Sequence, residues 1–464
     1  MGIENFCKDE HNATSKGCVL LVATLASFLT PFIGSSVNIA LPSIGKEFQM
    51  DAVLLGWIST SFLLSAAMFL VPFGRIADIY GRKRVFLSGT SIYTLACLLS
   101  ALSPSAGVLI ASRVMQGIGS SMIFGTGVAI LTSVFPAGER GRVLGINVAS
   151  VYLGLSLGPF IGGAITEHFG WRAIFLANIP LGLLIIFLVI GKIKGEWAEA
   201  RGEKLDIIGS IIYGLSLMAV MYGFSQPSAS GVALIGMGLF GAITFLKWET
   251  KAESPLLEIN LFRANRVFTF SNLAALINYS ATFGVAFLLS LYLQYIKGLS
   301  PQNAGVIMVA QPIVMTVFSP FAGRLSDRME PRVVASAGMA LIAIGLSFFI
   351  FLNEKTALAL IVADLSLLGL GFALFSSPNT NAIMSSVSSK LYGVASGIVA
   401  TMRMTGQMLS MGIVMLLFAA YIGRVPITPP CYPLFLKSVR SAFIIFSALC
   451  FVGIFASLAR GKLR

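Results

Sequence analysis

Charged side chains are scarce in this chain: Asp, Glu, Lys and Arg make up 11% of its 464 residues, against roughly 25% in ordinary soluble domains. So few charges cannot furnish the water-facing shell of three soluble domains, which the length alone would allow. Histidine is nearly missing, with His11 near the N-terminus and His168 beside Trp171, and neither has the neighbours of a metal ligand. The five cysteines, Cys7, Cys18, Cys97, Cys431 and Cys450, show no ligand spacing and mostly sit in or beside apolar runs, so they read as packing residues. No phosphate-cradling G-x-x-x-x-G-K-[ST] loop is present, which argues against ATP hydrolysis by this polypeptide. Nothing suggests an enzyme, and neither a metal nor an organic cofactor is implied. A cleavable signal peptide is also missing, because the first sixteen residues are polar and the apolar run that follows is long enough to span. Asn12-Ala13-Thr14 is a glycosylation sequon by pattern only, since the topology below puts it in the cytoplasm.

Apolar surface fills the chain instead. Hydrophobic residues make up 56%, and runs of about 20 apolar residues, the length a hydrocarbon core demands, recur almost end to end. Fourteen spanning helices are predicted, the first over residues 17–40 and the last over 438–459. The fold class is therefore an all-α polytopic membrane protein, with the lipid bilayer as its solvent. A formal charge of +13 raises the question of a nucleic-acid partner, and the placement of the basic residues answers it. The N-terminal tail, the even-numbered loops and the C-terminal tail hold 23 Lys and Arg, the odd-numbered loops hold 7, and only Arg113 and Arg403 fall inside spans. This is the positive-inside asymmetry: both termini face the cytoplasm, and the basic surplus reports topology rather than nucleic-acid binding. Short tails without a targeting sequence suit a prokaryotic plasma membrane.

Residues 74–84 read Gly-Arg-Ile-Ala-Asp-Ile-Tyr-Gly-Arg-Lys-Arg between spans 2 and 3, and 249 positions later Gly323-Arg324-Leu325-Ser326-Asp327-Arg328 repeats the opening of that phrase. A charged hinge used twice points to a duplicated transporter fold. Gly74 permits close helix approach, Asp78 offers a carboxylate to a neighbouring helix N-terminus, and Arg82, Lys83 and Arg84 stay in the cytoplasm. In span 5, Gly145, Gly154, Gly158, Pro159, Gly162 and Gly163 follow G-x8-G-x3-G-P-x2-G-G. Small residues at this spacing give a smooth packing face, and Pro159 removes a backbone donor so that the helix can bend.

On these phrases the chain resembles the major facilitator superfamily, specifically its fourteen-span drug/proton antiporter branch, over essentially its whole length. The resemblance implies two pseudo-symmetric six-helix bundles, at 17–193 and, with a short tail, 268–464, separated by two inserted helices with linkers at 194–267 and preceded by a tail at 1–16. It makes Gly74, Asp78, Gly81, Arg82 and Lys83, with the repeat at Gly323 and Asp327, a gating loop that fastens the halves on the cytoplasmic side. It makes the span 5 phrase the antiporter motif, which favours export. Trp171 to Pro180, opening span 6, and Leu261-Phe262-Arg263, before span 9, resemble the fourteen-span branch in particular. Glu196 to Asp206 reads as a solvated linker to the insert.

Ionisable residues inside lipid are costly, so each is a functional candidate. Arg113 in span 4 opens a phrase, through Gly117 and Gly119, that resembles the family motif whose arginine is linked to proton coupling. Asp364 lies in span 12 and Arg403 in span 13. Pairing Gly117 with Gly369 and Gly119 with Gly371 puts Asp364 within one position of the repeat-mate of Arg113, so carboxylate and guanidinium are expected on opposite walls of one cavity, where a moving partner could release the proton. Asn38, Gln116, Asn147, Tyr152, Asn278, Tyr279, Gln311, Asn379 and Gln407 are the candidate substrate contacts, although bonds between helices are the commoner use of such groups. Span 1 departs from the branch: Asn38, Ala40, Leu41 and Pro42 match, but Ile33 stands where the branch usually has an aspartate. Proton coupling then needs a relocated acid, and two arginines against one aspartate favour anionic or zwitterionic solutes over cations. The expected function is a monomeric secondary transporter that exports small amphipathic compounds, multidrug fashion, by proton-coupled alternating access. The alternatives are an exporter or facilitator of an anionic or zwitterionic metabolite without that coupling, and a non-transporting sensor on a transporter scaffold.

Overall fold

In lipid every backbone amide must find its partner within the protein, which leaves the helix as the economical spanning element. The computed structural model describes residues 16–252, 254–388 and 391–461, and within them fourteen helices are long and apolar enough to cross a membrane. They are α1 (Lys16–Glu47), α2 (Ala52–Tyr80), α3 (Arg82–Ala101), α4 (Ala106–Val134), α5 (Gly138–Phe169), α6 (Arg172–Lys192), α7 (Ile207–Phe224), α8 (Ala229–Glu249), α9 (Arg266–Ile296), α10 (Pro301–Ser326), α11 (Pro331–Phe349), α12 (Leu358–Ser385), α13 (Tyr392–Tyr421) and α14 (Pro429–Ala459). Their starts carry the expected caps: Asp51 accepts from the Leu54 amide at 2.7 Å, Asp206 from Gly209 at 2.8 Å, and Asn265 from Phe268 at 3.0 Å.

The internal repeat is visible in how glycines seat the helices. A Cβ on Gly119 of α4 would lie 2.7 Å from the Gly89 carbonyl oxygen of α3, and one on Gly371 of α12 would lie 2.9 Å from the Gly338 oxygen of α11. Gly117 presses in the same way on Phe62 of α2, and Gly369 on Gln311 of α10. Paired glycines thus make paired contacts, which is how a duplicated small-residue phrase builds the same crossing twice.

Within α5 the motif glycines divide their contacts. Gly154 would place a Cβ 2.6 Å from the Phe28 oxygen and Gly162 one 2.8 Å from the Ser36 Cα, both on α1, whereas Gly163 faces the Pro301 oxygen of α10 at 2.5 Å. Ser36 Oγ donates to the Gly158 oxygen at 2.9 Å along the same seam. Gly145 meets nothing within 4 Å.

The inserted pair α7–α8 lies against the join of the two halves. Tyr213 of α7 donates to the Ala67 oxygen of α2 at 3.2 Å, and Gly412 of α13 backs onto the Phe224 ring with 2.5 Å to a built Cβ. The outer helix of the pair exposes Val232 and Phe240, each 72% accessible, as a lipid-facing wall should.

The linker after α6 is docked rather than solvated. The Trp197 oxygen accepts from the Arg82 amide, and the Asp78 oxygen from the Ala200 amide, both at 2.9 Å. Glu196 caps the start of α3, accepting from Lys83 at 2.8 Å and Arg84 at 3.3 Å. The expectation that Asp78 would serve a helix N-terminus is therefore corrected: Glu196 does that, and Asp78 holds Arg82 Nε at 2.8 Å, four residues along. The reason is the turn at Gly81, whose φ of +119° reverses the chain so tightly that Asp78 faces Arg82 side-on and leaves the amides of α3 to the linker. Arg82 also forms a bidentate pair with Glu199, at 2.7 and 2.9 Å, and donates to Ser133 at 2.6 Å. Its partners here are thus in the first half and the linker. In the repeated loop, Ser326 donates to the Gly323 oxygen at 2.8 Å and accepts from Asn381 at 3.1 Å; the side chain of Asp327 lies outside the described residues, as does the tail before Lys16.

Candidate functional site

A cavity of about 220 Å³ lies between the halves. Its walls come from α1, α2, α4 and α5 on one side and α9, α10, α12 and α13 on the other. These are the same four helices of each repeat, so each half contributes one wall and either half can move against the other around a fixed site.

Apolar side chains dominate the walls, among them Phe62, Leu63, Phe124, Leu155, Phe283, Met308 and Phe372. Of the residues singled out in sequence, Asn38, Arg113, Tyr152, Pro159, Tyr279, Gln311, Arg403 and Gln407 line it. Arg113 is 1% exposed, donates from Nε to the Ile58 oxygen at 3.1 Å and from Nη1 to Gln116, and lies 4.5 Å from the centre of the Phe62 ring. Arg403 lies 5.2 Å from the Tyr279 ring centre, and its Nε is buried without a hydrogen-bond partner. Tyr152 of α5 and Ser376 of α12 share a 2.9 Å hydroxyl bond across the cavity seam.

Asp364 does not stand on the wall. The residue four before Gly117 is Arg113, and the residue four before Gly369 is Leu365, which does line the cavity. Asp364 is one position earlier, and one residue turns a helix by about 100°. Its carboxyl therefore points at α11, where a Cβ built on Gly345 would lie 3.0 Å from Oδ1. The side chain is 8% exposed and neither oxygen has a hydrogen-bond partner.

Four further expected contacts also lie off the cavity, three of them bonded to another neighbour. Gln116 donates to Cys97 Sγ at 3.0 Å behind Arg113. Asn147 ties α5 to α1 through the Ala23 oxygen, 3.2 Å, and Ser27, 2.8 Å. Asn379 accepts from Arg460 at 3.1 Å and donates to the Ser271 oxygen at 3.1 Å. Asn278 is fully buried with no partner for its amide, and we have no physical account of it.

The cavity is closed on the face away from the basic loops. Pro42 has no N–H to give the carbonyl four residues before it, that of Asn38. Ser290 of α9 supplies the missing donor at 2.6 Å, and Gln294 reaches the next carbonyl, Ile39, at 2.9 Å. Nearby, Gly305 of α10 sits directly against the Pro159 oxygen, Ala52 donates to the Val425 oxygen at 3.1 Å, and Gln302 donates to Glu167 at 3.0 Å. Asn38 joins gate to cavity, since its side chain also accepts from Ser59 at 3.0 Å. On the basic face Gly138, Gly141 and Gly145 of α5 and Gly393 and Gly397 of α13 meet nothing within 4 Å. Each of the two gate bonds is worth about 1 kcal/mol net, so Ser290→Ala or Gln294→Ala is expected to shift the population about 5-fold away from this closure. Labelling of a single cysteine placed at the Ala52–Val425 seam measures it, and unchanged labelling in both variants would mean the bonds do not hold the gate.

Two walls drawn symmetrically from duplicated halves, bonded to each other at one face, form the scaffold of an alternating-access carrier. The sequence model of the Major Facilitator Superfamily matches residues 23–253 and 271–462. The chain belongs to the major facilitator superfamily. It is an integral membrane transporter of that superfamily, not an enzyme. Among its relatives, the riboflavin transporter RibZ of Clostridioides difficile is 31% identical over 450 residues, covering 95% of this chain and 96% of the relative. The multidrug resistance protein Stp of Mycobacterium tuberculosis is 30% identical over 410 residues, 87% and 76% respectively. The cephamycin export protein CmcT of Amycolatopsis lactamdurans is 33% identical over 402 residues, 83% and 82%. A solved structure described as "Structural insights into substrate recognition in proton dependent oligopeptide transporters" superposes with a TM-score of 0.65 over 96% of this chain and 99% of that one. At 14% identity it shares the fold alone.

Several residues of the transporter's site were not singled out by sequence. Thr30 and Gly34 line the cavity from α1 beside the expected Asn38, at the i, i+4, i+8 spacing of a single helix face; that spacing was a readable signal. Ser290 and Gln294 were not, because only the arrival of Pro42 opposite them gives them a role.

Proposed function

We propose that this transporter exports small amphipathic compounds from the cytoplasm of a prokaryotic cell by alternating access. The observation that carries the reading is the mainly apolar cavity shared by both repeats and sealed at one face. With the basic loops and both termini placed in the cytoplasm by the positive-inside rule, the sealed face is the outer one and the cavity belongs to the inward-facing state, ready to load from inside. The export direction draws support from the span 5 phrase, whose glycines seat α5 on α1 and on α10 of the other half, and from relatives named for multidrug resistance and cephamycin export. The riboflavin transporter among the relatives makes riboflavin a sensible first probe.

The test is efflux from cells loaded in turn with riboflavin and with cationic, anionic and zwitterionic aromatic dyes, with and without the transporter. At least one compound is expected to leave faster when it is present. Equal retention of the whole panel, with the protein demonstrably in the membrane, would sink the export reading.

Proton coupling is the second reading, and Asp364 is the observation that favours it, as a buried acid without a partner. Because its carboxyl faces α11 instead of the cavity, Asp364→Asn is expected to leave solute flux within about 2-fold of the parent, a free-energy change of roughly 0.4 kcal/mol. Flux that loses its pH dependence in this variant would instead make Asp364 the coupling acid.

A further inference from the structure

We infer that the solute of this cavity is an aromatic organic monoanion, and that its outward movement is driven by the membrane potential without a proton acceptor in the cavity. The inference rests on the export reading and adds to it the charge of the solute and the source of the work.

The cavity walls carry the guanidinium groups of Arg113 and Arg403 and no Asp or Glu. Neither arginine has a carboxylate within ion-pair distance among the described residues. Guanidinium cannot shed its proton under these conditions, so the two charges persist and call for a counter-ion. Asp364, the one acid in that part of the sequence, is turned to α11. Arg403 is only half-buried and stands on the cavity wall, where its guanidinium offers donors to an acidic group on the solute.

The rest of the solute follows from the walls. Each guanidinium lies over a ring, Arg113 over Phe62 and Arg403 over Tyr279, and Phe124, Phe283 and Phe372 complete an aromatic lining. A planar ring with one negative group can stack there while its charge meets an arginine. A lipophilic cation would gain the rings but face two like charges, each costing several-fold in affinity or more.

The driving force follows from charge alone. Over a full cycle the carrier returns to its starting state, so the net charge moved is that of the solute. Carrying one negative charge out of a cell with a negative interior releases about 2.3 kcal/mol per 100 mV, which supports roughly a 50-fold outward gradient with no proton exchanged. The acid that span 1 lacks at Ile33 is not needed for such a cycle.

The experiment uses the full chain in proteoliposomes at equal pH on both sides, with a potassium diffusion potential set by valinomycin. The probes are 1-naphthalenesulfonate, an anion at every accessible pH, the cation ethidium, and riboflavin. Naphthalenesulfonate is expected to accumulate on the positive side, approaching 50-fold per 100 mV, and ethidium to remain unmoved. Arg403→Gln is expected to slow naphthalenesulfonate at least 10-fold and Arg403→Lys to recover part of the rate, while both variants keep the parent's thermal unfolding profile. Ethidium flux that needs a pH gradient, with naphthalenesulfonate static, would overturn the anion inference and leave export standing. Riboflavin flux that ignores the potential would overturn the charge assignment in the same way. No flux of any probe would count against both the inference and the export reading.

Discussion

Gly305→Leu is expected to stop transport while leaving a folded protein in the membrane. Gly305 of α10 sits against the Pro159 carbonyl of α5, in the opposite half, so closely that even a methyl group cannot enter. Backbone cannot be displaced as a flexible side chain can, and overpacking of this kind costs about 1–3 kcal/mol, occasionally more. The contact lies between halves that pack as separate bundles, so the clash is relieved simply by keeping the outer face apart. The closed state then loses about 10- to 100-fold in population, and solute flux should fall with it. Efflux rate, set beside the yield of monodisperse protein in detergent, checks the point. Parent-like flux would mean that closure does not require the α5–α10 contact.

Gly154→Val should have the opposite profile: loss of the folded protein itself. A Cβ at Gly154 would lie 2.6 Å from the Phe28 oxygen and 3.1 Å from the Phe32 nitrogen of α1. This seam is inside one half, and it is pinned above and below by Asn147 on Ala23 and Ser36 on Gly158. No rigid-body motion separates α1 from α5 without breaking the bundle. A penalty of about 3 kcal/mol or more therefore falls directly on a stability of only about 5–15 kcal/mol. Little protein should survive extraction from the membrane, and thermal unfolding in detergent should be displaced strongly downward. A stable, well-behaved Gly154→Val would show that the span 5 glycines are not seated as described. The two substitutions are near-equal insults to glycines in small-residue crossings, and their predicted outcomes differ only because one crossing moves in the transport cycle and the other does not.

The linker after α6 shows where linear reading reaches its limit. Glu196 and Glu199 stand in a mixed-charge stretch whose composition is that of a solvated connection, and nothing in it specifies a partner. Once α2 and α3 are reversed at Gly81, the amides of Lys83 and Arg84 and the Arg82 guanidinium all face the place where that stretch returns from α6. Exposed pairs of this kind add little stability: Glu199 is 68% accessible, and solvent screens most of its attraction. Their interest is positional, because they tie the hinge between α2 and α3 to the segment leading into the insert.

Sequence alone determined that this is a fourteen-span membrane protein, that it is duplicated, and which face carries the basic loops. Each of these follows from properties that add up along the chain: apolar length, a repeated phrase, and counts of Lys and Arg. Gly117 and Gly369, and Gly119 and Gly371, were paired by the repeated phrase, and the structure adds that each pair makes matching contacts, on α2 and α10 and on α3 and α11. Tertiary structure alone decided which side of each helix faces the cavity. A helix that must be apolar toward lipid and apolar toward its neighbours carries almost no periodic signal to mark its inner face. That is why Leu365 stands where Asp364 was expected: a turn of about 100° places the leucine on the wall and the acid against Gly345, leaving two arginines to set the charge of the site.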